Sequence, residues 1–361
     1  MTIGIDTGAL AVRDERLKVG VYQITLHLLE ELSRIDTTNE YRLYSFLPLE
    51  KKILSKFGKN MRNVVVTPAT GWMTWRLPLE LILRPVDVFL GLAQSMPPTR
   101  AKKIGVIYDL GFFFNPDAYG SSLSRLIRQT DALVRHSDRI VTVSKASKRD
   151  IASHYGIDPS RIAVHYLGVE KRFTPHGHKY RSKNPYILFV GSLNKAKNLP
   201  LALTAFSGFL KKIKKPYDFL LVGGDFWPDE AINSTIDNLQ LRNRVKKIGH
   251  IEHGKLAPYY RGATAFLTTG RREGFCMPVA ESMACGTPVV GIDRGALPEI
   301  VGKGGIVVKS DSPDDIASAL NSIASNDNLY TILNREAIRQ AGTYSWSSFA
   351  RSMYALITTS N

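Results

Sequence analysis

The sequence has little cysteine and no long apolar stretch. Its 361 residues include two cysteines, Cys276 and Cys285, which excludes a disulfide framework and a multi-cysteine zinc site. No apolar run approaches the roughly 18 residues that a transmembrane helix requires. The N-terminus has no basic segment followed by a long apolar one, so we expect no secretory leader and a cytoplasmic location.

The chain is also short of acidic residues. It has 32 Asp and Glu against 48 Lys and Arg, a net charge of +16. A field of that sign favours anionic partners. The excess is divided evenly between the two halves, and no basic stripe alternates with stacking aromatics, so nucleic acid is not an expected partner. With 44% hydrophobic residues, the composition is that of a globular protein with room for two domains.

Short β-rich runs alternate with amphipathic stretches, which is typical of βα units on a parallel sheet. In the first half, "VYQITLHLLEELSRI" places apolar residues on one helical face. Residues 169–185 interrupt the rhythm and predict a linker. Helices are then expected at about 199–212, 254–261, 279–285 and 313–325. The pattern predicts an α/β fold of two doubly wound Rossmann-like domains, with ligands bound in the cleft between them.

The stretch from 268 to 301 carries the most chemistry. It holds two glutamates, Glu273 in a glycine-containing loop and Glu281 in the following helix. A loop that opens a helix presents free N–H groups to phosphate or sugar oxygens, and each carboxylate can accept hydrogen bonds from a polyol. On spacing alone, a solvated helix residue and a loop carboxylate are the simpler interpretation.

The string "EGFCMPVAESMACGTPVV" closely resembles the two-glutamate motif of the retaining family 4 glycosyltransferases of GT-B fold. The resemblance extends over most of the chain, through "FVGSLNKAKNLPLALTAF", "IGHIEHGKLAPYYRGATAFL", "RIVTVSKASKRDIASHYGI" and "YSWSSFARSMY". It implies an N-terminal acceptor-binding domain over 1–172, a nucleotide-sugar-binding domain over 173–343, and a C-terminal helix over 344–361 that returns to the first domain.

The resemblance also implies roles for residues of the second domain. Glu273 would hold donor-sugar hydroxyls, and Glu281 the nucleotide ribose. Lys197 would neutralise the leaving diphosphate. Relatives often have an arginine at the position of Ala196, and Lys195 lies one residue before it. The remaining implied donor-binding positions are Gly191, Gly274, Phe275, Cys276 and Met277. Selectivity for the donor base is expected from loops around residues 224–230 and 248–252.

In the first domain the resemblance points to two positions. Gly20, at the start of a helix, would let the backbone approach the diphosphate, although a lone glycine there is most often a turn residue. Tyr108 occupies the place of a histidine that lies beside the donor sugar in relatives, so the main-chain carbonyl is kept and the imidazole is lost. Asp109 next to it is interpreted as a turn residue rather than a base.

The sequence contains no cluster of metal ligands, so leaving-group charge is expected to fall on Lys197, loop amides and a helix N-terminus. The catalytic assignments implied are Glu273, Lys197 and Tyr108, with no cofactor and no metal. The activity that the resemblance implies is transfer of a hexose with retention of anomeric configuration, in bacterial surface polysaccharide assembly such as O-antigen or lipopolysaccharide. The first candidate for the donor is GDP-mannose, which would supply mannose. Alternatives are a UDP-sugar transferase for glucose or N-acetylglucosamine, and a non-catalytic relative that binds anionic ligands.

The expected acceptor is an oligosaccharide or a polyprenyl-linked glycan. Residues 51–62 are basic, and residues 72–85 combine Trp72 and Trp75 with leucines. Basic residues near exposed aromatics suit an anionic membrane surface, which makes peripheral attachment to the inner face of the plasma membrane a candidate. The alternative is a solvated basic helix followed by a helix that packs on the domain.

Overall fold

Two all-parallel sheets form the framework of the computed structural model, which describes residues 1–18, 20–224 and 229–359. The chain divides into two compact units, after Gly168 and again after Tyr344. The segment Phe113–Ala118 groups with the second unit, and the chain from Ser345 groups with the first.

The first unit has a seven-stranded sheet of order β3-β2-β1-β4-β5-β6-β7. Its strands are β1 (Thr2–Asp6), β2 (Glu40–Ser45), β3 (Met61–Val65), β4 (Val88–Gly91), β5 (Lys102–Val106), β6 (Arg139–Thr142) and β7 (Ile162–Val164). Central strands are buried on both faces, as parallel strands covered by helices must be. The helices of this unit are α1 (Val21–Ile35), α2 (Lys51–Leu54), α3 (Leu77–Leu83), α5 (Leu123–His136) and α6 (Lys145–Tyr155). The short helix α4 (Gly111–Phe114) begins in the first unit and ends in the segment that groups with the second.

The second unit has a six-stranded sheet of order β10-β9-β8-β11-β12-β13. Its strands are β8 (Tyr186–Val190), β9 (Asp218–Val222), β10 (Val245–Gly249), β11 (Ala265–Thr268), β12 (Val289–Ile292) and β13 (Gly305–Val308). Its helices are α7 (Leu199–Lys212), α8 (Glu230–Asn238), α9 (Ala257–Gly262), α10 (Met277–Ala284), α11 (Leu297–Val301), α12 (Pro313–Ser325) and α13 (Asp327–Ala341). The two sheets agree with the predicted fold class.

Some predicted helix bounds were wrong. Helix α9 starts at Ala257 because a separate 3₁₀ turn, His253–Lys255, precedes it. Helix α10 starts at Met277, two residues before the predicted start, because Pro278 fits the first turn, where no amide proton is needed. In the second unit, helices α8, α11 and α13 were not predicted.

The last helix, α14 (Trp346–Thr358), belongs to the first unit. The Trp346 ring stacks on the His27 ring of α1 with 4.9 Å between centroids. The Lys102 ammonium group donates to the carbonyl of Leu356 at 2.9 Å and of Thr359 at 2.6 Å. A cation at the C-terminus of a helix satisfies carbonyls that have no partner within the helix.

The predicted linker, residues 169–185, has no regular structure and packs on the second unit. The Tyr180 amide donates to the Pro258 carbonyl at 2.9 Å, and the Tyr180 ring stacks on Tyr259 with 4.3 Å between centroids. Arg261 donates to the His178 carbonyl at 2.8 Å. This segment is therefore attached to α9 by side-chain and main-chain contacts.

Candidate active site

Neighbouring strands bring the two predicted donor-binding loops together. Strand β8 pairs with β11, with Ile187 opposite Ala265. The loop after β8 and the loop after β11 therefore leave the same edge of the sheet side by side. Across this junction the Lys197 ammonium group contacts the Glu273 carboxylate, with 2.7 Å between Nζ and Oε1.

Hydrogen bonds fix both loops around this ion pair. The Thr269 hydroxyl donates to the carbonyl of Asn198 at 2.8 Å, and the Arg271 amide donates to the carbonyl of Ala196 at 3.0 Å. On the far side, the Ala296 amide donates to the Glu273 carbonyl at 2.9 Å. Gly295 lies so close that a Cβ there would be 2.6 Å from the Glu273 carbonyl oxygen. The Glu273 carboxylate is thus held by its backbone as well as by Lys197.

After Glu273 the chain turns sharply into α10. Cys276 adopts a left-handed conformation with φ of 62°, and burial raises the pKa of its thiol well above the usual range. The Phe275 ring is buried edge-on against Tyr344, with 5.2 Å between centroids. Within the described part of the chain, the amides of Phe275, Cys276 and Met277 donate no hydrogen bond. Three consecutive N–H groups at a helix start suit an anion.

The Glu281 carboxylate is buried, with 3% of the residue exposed. His253 contacts its Oε1 at 2.7 Å, and the Tyr260 hydroxyl donates to Oε2 at 2.8 Å. The simpler interpretation, a solvated helix carboxylate, is therefore wrong for Glu281. Each oxygen keeps a lone pair, so the group can still accept hydrogen bonds from two vicinal hydroxyls.

His253 connects two carboxylates. Its Nε2 contacts Glu281, and its Nδ1 lies 2.9 Å from an oxygen of Glu170. Burial by itself lowers the pKa of His253, but the charges of Glu281 and Glu170 and their hydrogen bonds outweigh it and raise that pKa to about 10. The imidazole is therefore a cation at neutral pH, and both its N–H groups donate.

Two models of known protein families match the chain. Residues 170–340 match the family model described as "Glycosyl transferases group 1", and residues 100–173 match the one described as "Glycosyltransferase Family 4". The first of these matches covers both loops, both glutamates and Lys197. The protein is a glycosyltransferase of the GT-B fold.

The glycosyltransferase is similar to curated enzymes at low identity. It is 23% identical over 271 residues to O-antigen chain mannosyltransferase B of Escherichia coli, covering 72% of this chain and 71% of that one. It is 28% identical over 240 residues to the D-inositol 3-phosphate glycosyltransferase of Thermobifida fusca (strain YX), covering 62% of this chain. That match spans 55% of the relative, about half its length.

A solved structure resembles the glycosyltransferase over its whole length. The sucrose-phosphate synthase of Thermosynechococcus elongatus has a TM-score of 0.77 at 16% identity, covering 99% of this chain and 98% of that one. At this identity the likeness concerns the fold.

Other predicted donor-binding residues of the glycosyltransferase lie in the loop after β8. Gly191 follows the strand with φ of 152°, and its carbonyl lies where a Cβ on Gly223 would stand. Lys195 is exposed, in the short 3₁₀ turn Lys195–Lys197. Of the loops expected to select the donor base, residues 225–228 lie outside the described residues.

Gly20 and Tyr108 belong to the first unit of the glycosyltransferase. Gly20 precedes α1 with φ of 50°, and a Cβ on it would have no atom of the described residues outside its chain neighbours within 4 Å. The Tyr108 hydroxyl donates to the Leu92 carbonyl at 2.8 Å, and burial raises its pKa well above the usual range. The Tyr108 carbonyl, which the resemblance assigns to the donor sugar, accepts a hydrogen bond from the Ser147 hydroxyl at 3.0 Å. Asp109 accepts from the Gly111 amide at 2.8 Å, as a turn residue does.

Sequence reasoning missed the partners of Glu281, namely His253 and Tyr260, and also Glu170, which contacts His253. A lone histidine in "IEHGK" has no distinguishing pattern, and only the fold brings it to Glu281. Among the described residues, no group of three or more His, Cys, Asp or Glu could hold a metal ion, and no helix is long and apolar enough to cross a membrane.

Proposed function

We propose that this glycosyltransferase moves a hexose onto a glycan or a polyprenyl-linked acceptor in bacterial surface polysaccharide assembly. The first candidate for the hexose is mannose, with GDP-mannose as the donor. The observation that carries the proposal is the Lys197–Glu273 ion pair, which lies beside three amides that donate no hydrogen bond within the described residues. Glu281 is held in helix α10, which follows these amides. The similarity to an O-antigen mannosyltransferase supports the choice of mannose.

In the proposed donor complex each group has one task. The Glu281 carboxylate accepts hydrogen bonds from the ribose hydroxyls. Lys197 and the amides of Phe275, Cys276 and Met277 neutralise the diphosphate and the charge that develops on it. Glu273 accepts hydrogen bonds from the sugar hydroxyls and keeps Lys197 in place.

The proposed reaction is a front-face displacement that retains anomeric configuration. The acceptor hydroxyl oxygen bonds to the anomeric carbon on the face that the diphosphate leaves. The bond between that carbon and the diphosphate oxygen breaks, and this oxygen takes the proton of the acceptor hydroxyl. Electrostatic stabilisation of the leaving diphosphate, without a protein nucleophile, is the main contribution of the chain.

The test is a calorimetric binding panel of GDP, UDP and ADP, followed by hydrolysis of the matching sugar nucleotides without acceptor. We expect tight binding of GDP that weakens sharply in Glu281→Ala. Tight binding of UDP instead would replace mannose by a UDP-linked sugar. Failure of every nucleotide to bind would overturn the proposal, and binding without hydrolysis or transfer would favour a non-catalytic relative.

We further propose that the first unit contacts an anionic membrane surface through the apolar face of α3. Residues 72–83 are continuously helical. Trp75, Leu79, Ile82 and Leu83 share one helical face, with exposures of 52%, 43%, 74% and 69%. Exposed apolar side chains that recur at helical spacing mark an interaction surface.

The charges around this face favour anionic lipid over protein. Arg76 lies over the Trp75 ring, 5.2 Å from its centroid. Arg84 follows the helix and pairs with Glu80 at 3.2 Å. The basic stretch 51–62 contributes less than its composition indicates, because Lys56 pairs with Glu30 at 2.8 Å and Arg62 with Glu40 at 2.7 Å. Trp72 is buried and contributes to the core.

Vesicle flotation tests this surface. We expect the full chain to float with vesicles that contain phosphatidylglycerol and to stay behind with phosphatidylcholine alone. The double variant Ile82→Ser, Leu83→Ser should lose flotation. Ile332→Ser, which removes another exposed isoleucine, in α13, should keep it. Equal flotation of the double variant and the parent would contradict the proposal.

A further inference from the structure

A pocket of the second unit lies beside the Lys197–Glu273 pair. It encloses about 490 Å³ and is open to solvent. Its walls come from the ends of β11 and β12, the start of α7 and the segment Phe113–Ala118, which belongs to the same unit. The residues that line it include Phe114, Asn198, Arg271, Arg272, Arg294 and Asp311.

The lining is strongly basic, with three arginines against one carboxylate. Arg294 is oriented by two contacts, one to the Asp311 carboxylate at 3.2 Å and one to the Asp293 carbonyl at 2.9 Å. The Arg272 guanidinium lies over the Phe114 ring, 4.1 Å from its centroid. Arg271 is exposed, and its side chain forms no ion pair within the described part of the chain.

Oriented guanidinium groups suit phosphate or carboxylate. A guanidinium donates two parallel N–H groups to the two oxygens of such an anion, which an ammonium group cannot do. The Asn198 amide side chain adds a neutral donor and acceptor at the wall. Asp311 disfavours binding of a bare anion by repulsion, but it also holds Arg294 in a fixed position.

The pocket is separate from the groups assigned to the donor. Its lining includes neither Lys197 nor Glu273, nor Glu281, nor the loop amides. Two of its residues are nevertheless chain neighbours of the ion pair: Asn198 follows Lys197, and Arg272 precedes Glu273. An anion held here would lie next to the sugar end of the donor site while the diphosphate site stays available.

We propose that this arginine pocket binds an anionic group of the acceptor, a phosphoryl group or a sugar carboxylate. The proposal rests on the proposed function, because an acceptor exists only if the chain transfers a sugar. It narrows the acceptor to a phosphorylated or acidic glycan. It also makes Arg271 and Arg294 acceptor-specificity residues outside the donor site.

The test uses inorganic phosphate as the probe and the full chain saturated with whichever nucleoside diphosphate binds in the panel above. Phosphate is titrated by calorimetry at constant ionic strength, with chloride as the matching salt. We expect phosphate to bind while the nucleotide is bound. Affinity should fall about tenfold or more in Arg271→Gln, Arg294→Gln, since two charge-assisted contacts are lost. Arg335→Gln, an exposed arginine of α13, should bind as the parent does.

A second arm measures hydrolysis of the sugar nucleotide without acceptor, which we expect to be unchanged in the double variant. Phosphate binding that disappears when the nucleotide is bound would assign the anion site to the donor diphosphate and overturn the proposal. Equal phosphate binding by parent and double variant would overturn it as well. If no nucleotide binds, the proposed function fails, and the titration of the chain alone still decides whether the arginines form an anion site.

Discussion

At the scale of single residues, Lys197 is the cation that the proposed reaction places on the leaving diphosphate. Its ammonium group contacts Glu273 at 2.7 Å, and its side chain is 26% exposed. Lys197→Gln keeps the length and the polarity but removes the charge. We expect turnover to fall about a hundredfold to a thousandfold, since one oriented electrostatic contact to the developing charge is lost. Steady-state transfer or donor hydrolysis measures this.

The matched control for Lys197 is Lys211→Gln, in the last turn of α7, which should leave turnover unchanged. Circular dichroism would establish that both variants are folded. Turnover that drops equally in the two lysine variants would remove Lys197 from the reaction.

His253 is the second residue on which a prediction depends. Because its pKa rises from 6.5 to about 10 on folding, its charge contacts stabilise the fold fully below about pH 6.5. This contribution declines as the pH rises and is lost by about pH 10. His253→Gln should therefore lower the free energy of unfolding by about 3 kcal/mol at pH 6 and by much less at pH 10.

Urea unfolding of parent and variant at pH 6, 8 and 10 measures this difference. His154→Gln, in the last turn of α6, is the control for general effects of histidine removal. A difference that is constant over this pH range would show that the contribution of His253 is packing and not charge.

At the scale of secondary-structure elements, hydrophobic periodicity was sufficient where a helix has one clearly apolar face. The predicted helices over 199–212 and 313–325 are confirmed with the same bounds, as is the helix at 21–35. Helix α13 was missed because only Leu333, Ala337 and Ala341 are buried in its 15 residues, and two of these are alanine. A weak apolar face gives little periodic signal.

Helix α14 makes a testable contribution to the first unit. Its Phe349 side chain is 1% exposed and packs edge-on against Trp346, with 5.9 Å between centroids. Phe349→Ala should lower the free energy of unfolding by about 3–5 kcal/mol, because a large buried ring leaves a cavity. Arg351→Ala, an exposed position of the same helix, should change it by less than about 0.5 kcal/mol. Urea unfolding followed by circular dichroism compares the two, and equal losses would mean that Phe349 is not part of the core.

At the scale of the whole molecule, the sequence located the pieces of the site that lie within one motif. Lys197 and Glu273 lie in loops that follow adjacent parallel strands, and Glu281 lies in the helix after the second loop, so a βα pattern is enough to place them at one edge. Glu170, His253 and Glu281 come from distant parts of the chain, and His253 contacts both carboxylates. Their meeting depends on strand order and on the packing of residues 169–185, which no local pattern contains.

A further prediction for the whole molecule is that sugar transfer does not depend on a metal ion. In the proposed reaction, Lys197 and loop amides offset the negative charge of the leaving diphosphate, which a divalent cation would otherwise neutralise. We expect transfer rates in EDTA to equal those with added Mg²⁺ or Mn²⁺. A rate that is lost in EDTA and restored by either ion would contradict the assignment.

The close approach of Gly295 to Glu273 links two loops that lie 22 positions apart in the sequence. Gly295 has φ of 57°, and a methyl group on it would press on the Glu273 backbone. In a random mutagenesis screen for lost glycosyltransferase activity, substitutions at the two positions should therefore give the same phenotype. A second-site suppressor of an allele at 295 would then be sought in the loop after β11 and not next to the original mutation.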